Sequence, residues 1–205
     1  MSASSDLRDE LDAANQAAID AAPGCVPLHA AAIETSAGVI AIAGQSGAGK
    51  STLCAAAVLA GYPYVADEIA AVSPDDLHVH PFHRPIGLRR GGAAAIGVEY
   101  PESPDGRYDF VYPWPVAGTL SNGGRLVGIV LVDRTDDVAP ALSFVEGPAA
   151  LLELSQHTVI ADELLGVGFM SLDRIVRAVP IARLTYDTGP QALELLAELV
   201  ERWTP

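Results

Sequence analysis

The feature that most constrains this chain is a glycine-rich segment between an apolar run and a helix-forming run. Residues 44–51 read GQSGAGKS and match the spacing G-x-x-x-x-G-K-[ST] at every fixed position. The run GVIAIA at residues 38–43 predicts a strand, and residues 53–60 predict a helix. A strand, a tight glycine loop and a helix in this order are typical of α/β folds that bind phosphate groups.

The residue types in this motif suit an anion together with a divalent cation. Gly44, Gly47 and Gly49 allow the backbone to curl so that its N–H groups point inward. Lys50 supplies a positive charge for phosphate, and the hydroxyl of Ser51 is a hard oxygen ligand for Mg²⁺. We therefore predict a site for ATP and Mg²⁺. Its predicted nucleotide-binding residues are Gly44, Gln45, Ser46, Gly47, Ala48, Gly49, Lys50, Ser51 and Thr52.

Charge and hydropathy restrict the remaining possibilities. The chain has 26 acidic and 12 basic residues among 205, and its net charge is −14. Nucleic acids and anionic membranes bind basic surfaces, so we expect neither as a partner. The first residues are polar and acidic, and no apolar stretch is long enough to span a bilayer. These features predict a cytoplasmic protein.

The hydrophobic pattern predicts one α/β domain at residues 25–205, preceded by a helical segment at residues 1–24. Within the segment, helical spacing covers residues 6–22. Further strands are predicted at 26–34, 64–66, 69–72, 126–132 and 181–186, and further helices at 149–155, 171–178 and 191–203. Residues 91–124 are rich in glycine, proline and aromatic residues, and they predict an irregular excursion.

Carboxylates follow two of the apolar strands. Asp67 and Glu68 come directly after the strand at 64–66, and Asp133 follows the strand at 126–132. Phosphate transfer needs a group that positions the nucleophile and an acid that helps to hold the metal. Asp67 and Glu68 could divide these two roles at a strand end. The pattern alone leaves Asp133 open as a metal-positioning acid or as a solvated turn residue.

Residues 28–72 resemble the catalytic core of the HPr kinase/phosphorylase family. In that family a histidine on an early strand precedes the P-loop, and the following helix leads to a strand that ends in two acids. His29, residues 44–52 and the pair Asp67-Glu68 occur in this order and at this spacing. Residues 84–90, 151–158 and 181–186 are also similar to short stand-alone relatives, such as the kinases of lasso-peptide gene sets. The resemblance implies a P-loop kinase core, with a mixed sheet and flanking helices.

The resemblance also implies a role for each residue. Asp67 would accept the proton of the substrate hydroxyl, and His29 would lie beside it and orient it. Lys50 would bind the transferred phosphate, whereas Ser51 and Glu68 would hold the metal. Asp67, His29 and Lys50 are thus the expected catalytic residues.

The chain departs from the family pattern at three places. Glu68 stands where the family usually has Asp. Residues 88–91 read LRRG where full-length members have Glu-x-Arg-Gly, so Arg90 remains a candidate contact for phosphate. Only 28 residues precede His29, too few for the separate N-terminal domain of the full-length enzymes. We therefore do not expect HPr itself to be the acceptor.

The expected function is an ATP-dependent kinase that transfers the γ-phosphate to a hydroxyl, with a serine of a peptide or protein as acceptor. One alternative is a small-molecule kinase on the same scaffold, which would need a closed pocket. The other alternative is a nucleotide-binding module that regulates a partner without transferring phosphate. Members of the family are often oligomeric, so the sequence leaves a homo-oligomer as one of the possible states.

Overall fold

The computed structural model describes residues 13–17, 19–101, 112–116, 118–158 and 165–204. In these ranges the strands are β1 Val26–Leu28, β2 Ala30–Thr35, β3 Gly38–Ala43, β4 Tyr64–Ala66, β5 Ala70–Val72, β6 His78–His80, β7 Ile86–Leu88, β8 Tyr112–Trp114, β9 Gly124–Arg134, β10 Ala141–Phe144 and β11 Ile181–Tyr186. Besides the helical residues 13–17 and 19–21, the helices are α1 Lys50–Leu59, α2 Arg90–Ala95, α3 Gly147–Ser155, α4 Leu165–Ala178 and α5 Gly189–Trp203. None of the described helices is long and apolar enough to cross a bilayer.

In the part of the chain that the structure describes, a mixed sheet of nine strands forms the centre of the fold, and β7 pairs with β8 in a separate ribbon. Three strands at the centre are parallel, since β9 pairs with β3 on one side and with β11 on the other. The other pairings are antiparallel. The predicted mixed sheet with flanking helices is therefore confirmed at this level.

β9 organises the sheet because it is the longest strand and has neighbours along its whole length. Its first residues pair with β6, and its later residues pair with β3 and β11. Its run LVGIVLV is almost entirely buried, as expected for a strand covered on both faces. The carboxyl ends of β3, β9 and β11 meet at one edge. In open α/β sheets this edge is where ligands bind.

Helices cover both faces of the sheet. Along β3, Ile40 and Ile42 pack with α1 and α5, whereas Val39, Ala41 and Ala43 pack with α3 and α4. This alternation follows from the period of two in a strand. Each buried leucine or isoleucine on these faces contributes about 1.5–3 kcal/mol to stability.

The predicted strand at 26–34 is two strands that separate at His29. β1 pairs with β5, whereas β2 pairs with β3 and β4. Between them, the backbone N–H of His29 donates to the carbonyl oxygen of His157 at 2.7 Å. The hydrophobic pattern is continuous across this point, and a distant segment causes the break.

The predicted excursion at 91–124 is more ordered than expected, although residues 102–111 and 117 lie outside the described ranges. It contains most of α2, and it contains β8, whose partner is β7. The pattern also missed β10, an exposed strand that pairs with β11. The predicted helix at 6–22 is described at residues 13–17 and 19–21, where it is helical. Residues 1–12 and 18 of the predicted segment 1–24 lie outside the described ranges, and residues 22–24 form the turn that follows the helix.

Candidate functional site

The loop at residues 44–49, called the phosphate loop below, leaves β3 and ends where α1 begins. Gly44, Gly47 and Gly49 have φ angles of 153°, 85° and 99°, which favour glycine. A Cβ on Gly44 would lie 2.7 Å from the carbonyl oxygen of Val132 on β9. The loop can therefore keep this path only with glycine at 44. Its shape and the amino end of α1 fit the phosphates of a nucleotide.

Lys50 is the single lysine of the chain, and only 7% of it is exposed. Its ammonium group donates to the carbonyl oxygens of Gly44 at 2.9 Å and Gln45 at 3.3 Å. Burial lowers the pKa of Lys50, and the nearby carboxylates of Glu68 and Asp67 oppose that shift. The charge is thus held at the beginning of the phosphate loop, beside two acids.

Asp67 lies at the end of β4, and both of its carboxylate oxygens accept hydrogen bonds. The hydroxyl of Ser51 donates to Oδ1 at 3.0 Å, and the backbone N–H of Gly87 donates to Oδ2 at 3.1 Å. Only 2% of Asp67 is exposed, and burial raises its pKa while the hydrogen bond from Gly87 opposes that shift. Asp67 is therefore enclosed by the protein and joined to the hydroxyl that the motif offers to a metal.

Glu68 faces a different group from its neighbour. It has a φ of 78°, a left-handed conformation that costs about 1–2 kcal/mol in a residue with a side chain. Its Oε1 lies 3.3 Å from Nδ1 of His29, and the two side chains are 37% and 33% exposed. Burial lowers the pKa of His29, and Glu68 opposes that shift. The resemblance implied that His29 lies beside Asp67, whereas the observed contact of the His29 ring is with the carboxylate of Glu68.

Arg90 lies at the start of α2, near the far end of the motif. Its guanidinium carbon is 4.9 Å from the centre of the Tyr100 ring, a cation–π geometry. Two residues along, a Cβ on Gly92 would lie 2.4 Å from the hydroxyl oxygen of Thr52. The helix α2 therefore packs closely against the Thr52 end of the motif. Lys50, by contrast, contacts the Gly44 end.

Tyr186 is a site residue that the sequence did not reveal. It ends β11, and its hydroxyl donates to the carbonyl oxygen of Ala48 at 2.8 Å. A Cβ on Gly49 would lie 2.6 Å from that hydroxyl oxygen. Burial raises the pKa of Tyr186 to about 12, so the hydroxyl stays a donor at neutral pH. Tyr186 holds the tip of the phosphate loop from the side of the sheet.

Removing this contact should weaken nucleotide binding modestly. We expect Tyr186→Phe to raise the ATP dissociation constant by about 2- to 10-fold, which corresponds to the net value of one hydrogen bond. Calorimetric titration with ATP and Mg²⁺ measures the change, and Tyr62→Phe, in the turn after α1, is the matched control. Equal ATP affinities for Tyr186→Phe and Tyr62→Phe would contradict the role given to this hydroxyl.

A cleft of about 440 Å³ opens beside the start of the phosphate loop. It is lined by Gly44, Gln45, Leu131, Val132, Asp133, Ala149, Leu152, Glu153, Gln156, His157 and Arg183. Asp133, one of the acids singled out in the sequence, lines this cleft. Most of the lining residues come from α3 and from the ends of β9 and β11, which only the folded sheet brings together.

The donor set fits a magnesium ion better than a transition metal. In the described ranges, no three histidine, cysteine, aspartate or glutamate side chains are grouped as they are in zinc sites. Ser51 and Asp67 provide two oxygen ligands at 3.0 Å from each other. Mg²⁺ prefers oxygen ligands and usually takes only one or two carboxylates, together with phosphates and water. Ser51 and Asp67 are therefore suited to hold it beside bound phosphates.

Comparisons with known proteins give a distant structural likeness. No protein-family model matches the chain, and no curated protein matches it. Among solved structures, the chain is similar to an HPr(Ser) kinase/phosphatase from Coxiella burnetii, with a TM-score of 0.37 and 13% identity. The likeness covers 86% of this chain and 88% of that chain. At this TM-score and identity, the likeness does not establish family membership.

Proposed function

We propose that this protein is an ATP-dependent phosphotransferase that moves the γ-phosphate to a hydroxyl, with a serine of a peptide or protein as acceptor. The observation that carries the proposal is the hydrogen bond from Ser51 to Asp67 beside the phosphate loop. P-loop enzymes hold Mg²⁺ with the serine or threonine of the loop and an aspartate from a strand. Here one buried aspartate meets that serine, and a second acid lies next to it.

The phosphate loop would bind the triphosphate, and Lys50 would contact its β- and γ-phosphates. The backbone N–H groups and the amino end of α1 add positive potential. In a chain with a net charge of −14, such local donors are needed to bind an anion. Arg90 is kept as a nucleotide contact, on the side of the motif where α2 packs.

The metal role would fall to Ser51 and Asp67. Mg²⁺ bound there would neutralise charge on the phosphates during transfer. We propose this pair in place of Ser51 and Glu68 because Asp67 already contacts the Ser51 hydroxyl. Asp67 is far less exposed than Glu68, so an acceptor hydroxyl from solution has better access to Glu68.

The base would then be Glu68, oriented by His29. A general base must reach the proton that it takes, and the Glu68 side chain is the more exposed of the two acids. In the reaction the acceptor oxygen forms a bond to the γ-phosphorus, and the bond from that phosphorus to the β,γ-bridging oxygen breaks. The bridging oxygen leaves with the bonding electrons as part of ADP, and the hydroxyl proton passes to Glu68.

Label transfer tests the proposal directly. The protein is incubated with γ-labelled ATP, Mg²⁺ and a panel of acceptors: peptides with a serine flanked by leucine, lysine or glutamate, and the free alcohols ethanolamine and glycerol. We expect label on at least one acceptor, dependent on Mg²⁺ and on active protein. A protein that binds ATP but transfers label to no acceptor would instead be a nucleotide-binding module, and the proposal would fail.

A further inference from the structure

The cleft of about 440 Å³ lies at the end of the phosphate loop where transfer would occur. The lysine of this motif reaches the β- and γ-phosphates. Lys50 is held by the carbonyl oxygens of Gly44 and Gln45, and the same two residues line the cleft. The cleft therefore opens toward the γ-phosphate. At the Thr52 end, by contrast, α2 packs closely against the motif.

The cleft is also connected to the proposed base through His157. His157 lines it, and the carbonyl oxygen of His157 accepts the backbone N–H of His29 at 2.7 Å. His29 is in turn paired with Glu68. An acceptor in the cleft would thus be linked through His157 and His29 to Glu68, and in-line transfer would require its hydroxyl to lie opposite the leaving β,γ-bridging oxygen.

The walls of the cleft set the chemistry of its occupant. Leu131, Val132, Ala149 and Leu152 form apolar surface. Arg183 is the one permanently charged cation among the described lining residues, and its guanidinium is paired with Glu153 at 2.5 Å. Asp133 adds a carboxylate at the end of β9. The lining therefore carries a negative balance and suits an acceptor with apolar or basic groups around its hydroxyl.

We propose that this cleft binds the phosphate acceptor, and that the acceptor is an uncharged or cationic hydroxyl compound with an apolar portion. The proposal depends on the phosphotransfer function given above. The bonds that form and break are the same as in that reaction. The volume is within the range of about 300–1,000 Å³ that is common for small-ligand sites. It can take a serine with a neighbouring side chain, or a free amino alcohol.

Filling the cleft tests the proposal. Ala149 is exposed near the start of α3, so Ala149→Trp is expected to fold and to occupy the apolar wall. We expect the KM for the best acceptor of the panel to rise by at least about 10-fold. Even one methylene group in an apolar pocket changes the discrimination between substrates by about 10- to 200-fold. The dissociation constant for ATP should stay as in the unchanged protein. Met170→Trp is the matched control, because Met170 is exposed on α4 outside the cleft.

Reversing the charge gives a second, independent measurement. The unchanged protein should prefer the lysine-flanked peptide to the glutamate-flanked one by about 10-fold in kcat/KM. Asp133→Lys should reduce or invert that preference. A glutamate-flanked peptide that is the best substrate of the unchanged protein would overturn the proposed chemistry.

The results separate the two proposals. Transfer that continues with the same acceptor KM in Ala149→Trp would overturn the cleft assignment alone. A weaker ATP affinity in Ala149→Trp, with that KM unchanged, would overturn it as well and identify the cleft as the nucleoside site. Absence of transfer to every acceptor by the unchanged protein would overturn the phosphotransfer function and this inference together.

Discussion

Lys50→Met is expected to raise the ATP dissociation constant by about 10- to 100-fold, since this is the change in affinity that the free energy of a hydrogen bond to a charged group produces. The rate of transfer should fall further, by about 10²- to 10³-fold, because the ammonium also stabilises charge that develops on the γ-phosphate. Methionine keeps the length of the side chain and its apolar stem. The loss therefore reports on the charge that now contacts Gly44 and Gln45.

The measurements are calorimetric titration with ATP and a single-turnover transfer assay. Arg202→Met is the matched control, because it removes a cation from the exposed ion pair with Glu198 on α5. Both assays should give unchanged values for Arg202→Met. An ATP affinity that is the same in Lys50→Met and in the unchanged protein would exclude the phosphate loop as the nucleotide site.

The second large effect is expected at Glu68. Glu68→Gln should lower the single-turnover rate at saturating ATP and Mg²⁺ by about 10²- to 10⁴-fold, which is the usual contribution of a general base. ATP binding should not weaken, because Glu68 pairs with His29, and removing its negative charge near Lys50 does not disfavour an anion. Glutamine keeps the size of the side chain and removes the site that accepts the proton.

Asp67→Asn separates the base from the metal ligand. We expect it to raise the Mg²⁺ concentration needed for half-maximal rate by at least about 10-fold, because the carboxylate beside Ser51 loses its charge. A high Mg²⁺ concentration should restore much of the transfer rate of Asp67→Asn, but it should not restore the transfer rate of Glu68→Gln. The opposite result, with Asp67→Asn inactive at all Mg²⁺ concentrations and Glu68→Gln active, would restore the base role that the resemblance gave to Asp67.

The local parts of this site were predictable from the sequence. The apolar run, the glycines and Lys50-Ser51 lie within 14 consecutive residues, 38–51, and each part favours the same strand, loop and helix. The acids after β4 were found for the same reason, because a short apolar strand ends just before Asp67. Local agreement of pattern, turn residues and chemistry leaves few alternative structures.

The pairing of groups was not predictable, because it depends on distant segments. His29 meets Glu68 because β1 and β2 separate at a contact with His157, which is 128 positions along the chain, and because Glu68 adopts a left-handed φ. Tyr186 reaches Ala48 through the parallel alignment of β11 with β9 and β3. No periodicity in sequence encodes these contacts.

Because Lys50 is the only lysine of the chain, a covalent label on it can be used to count the nucleotide sites that are free. Amine-directed reagents have two targets in the chain, the ε-amine of Lys50 and the terminal α-amine. The lowered pKa of Lys50 leaves more of its amine in the neutral, nucleophilic form. A nucleotide acyl phosphate would therefore acylate Lys50, and intact mass would give the fraction of molecules with a free site without any assay of turnover.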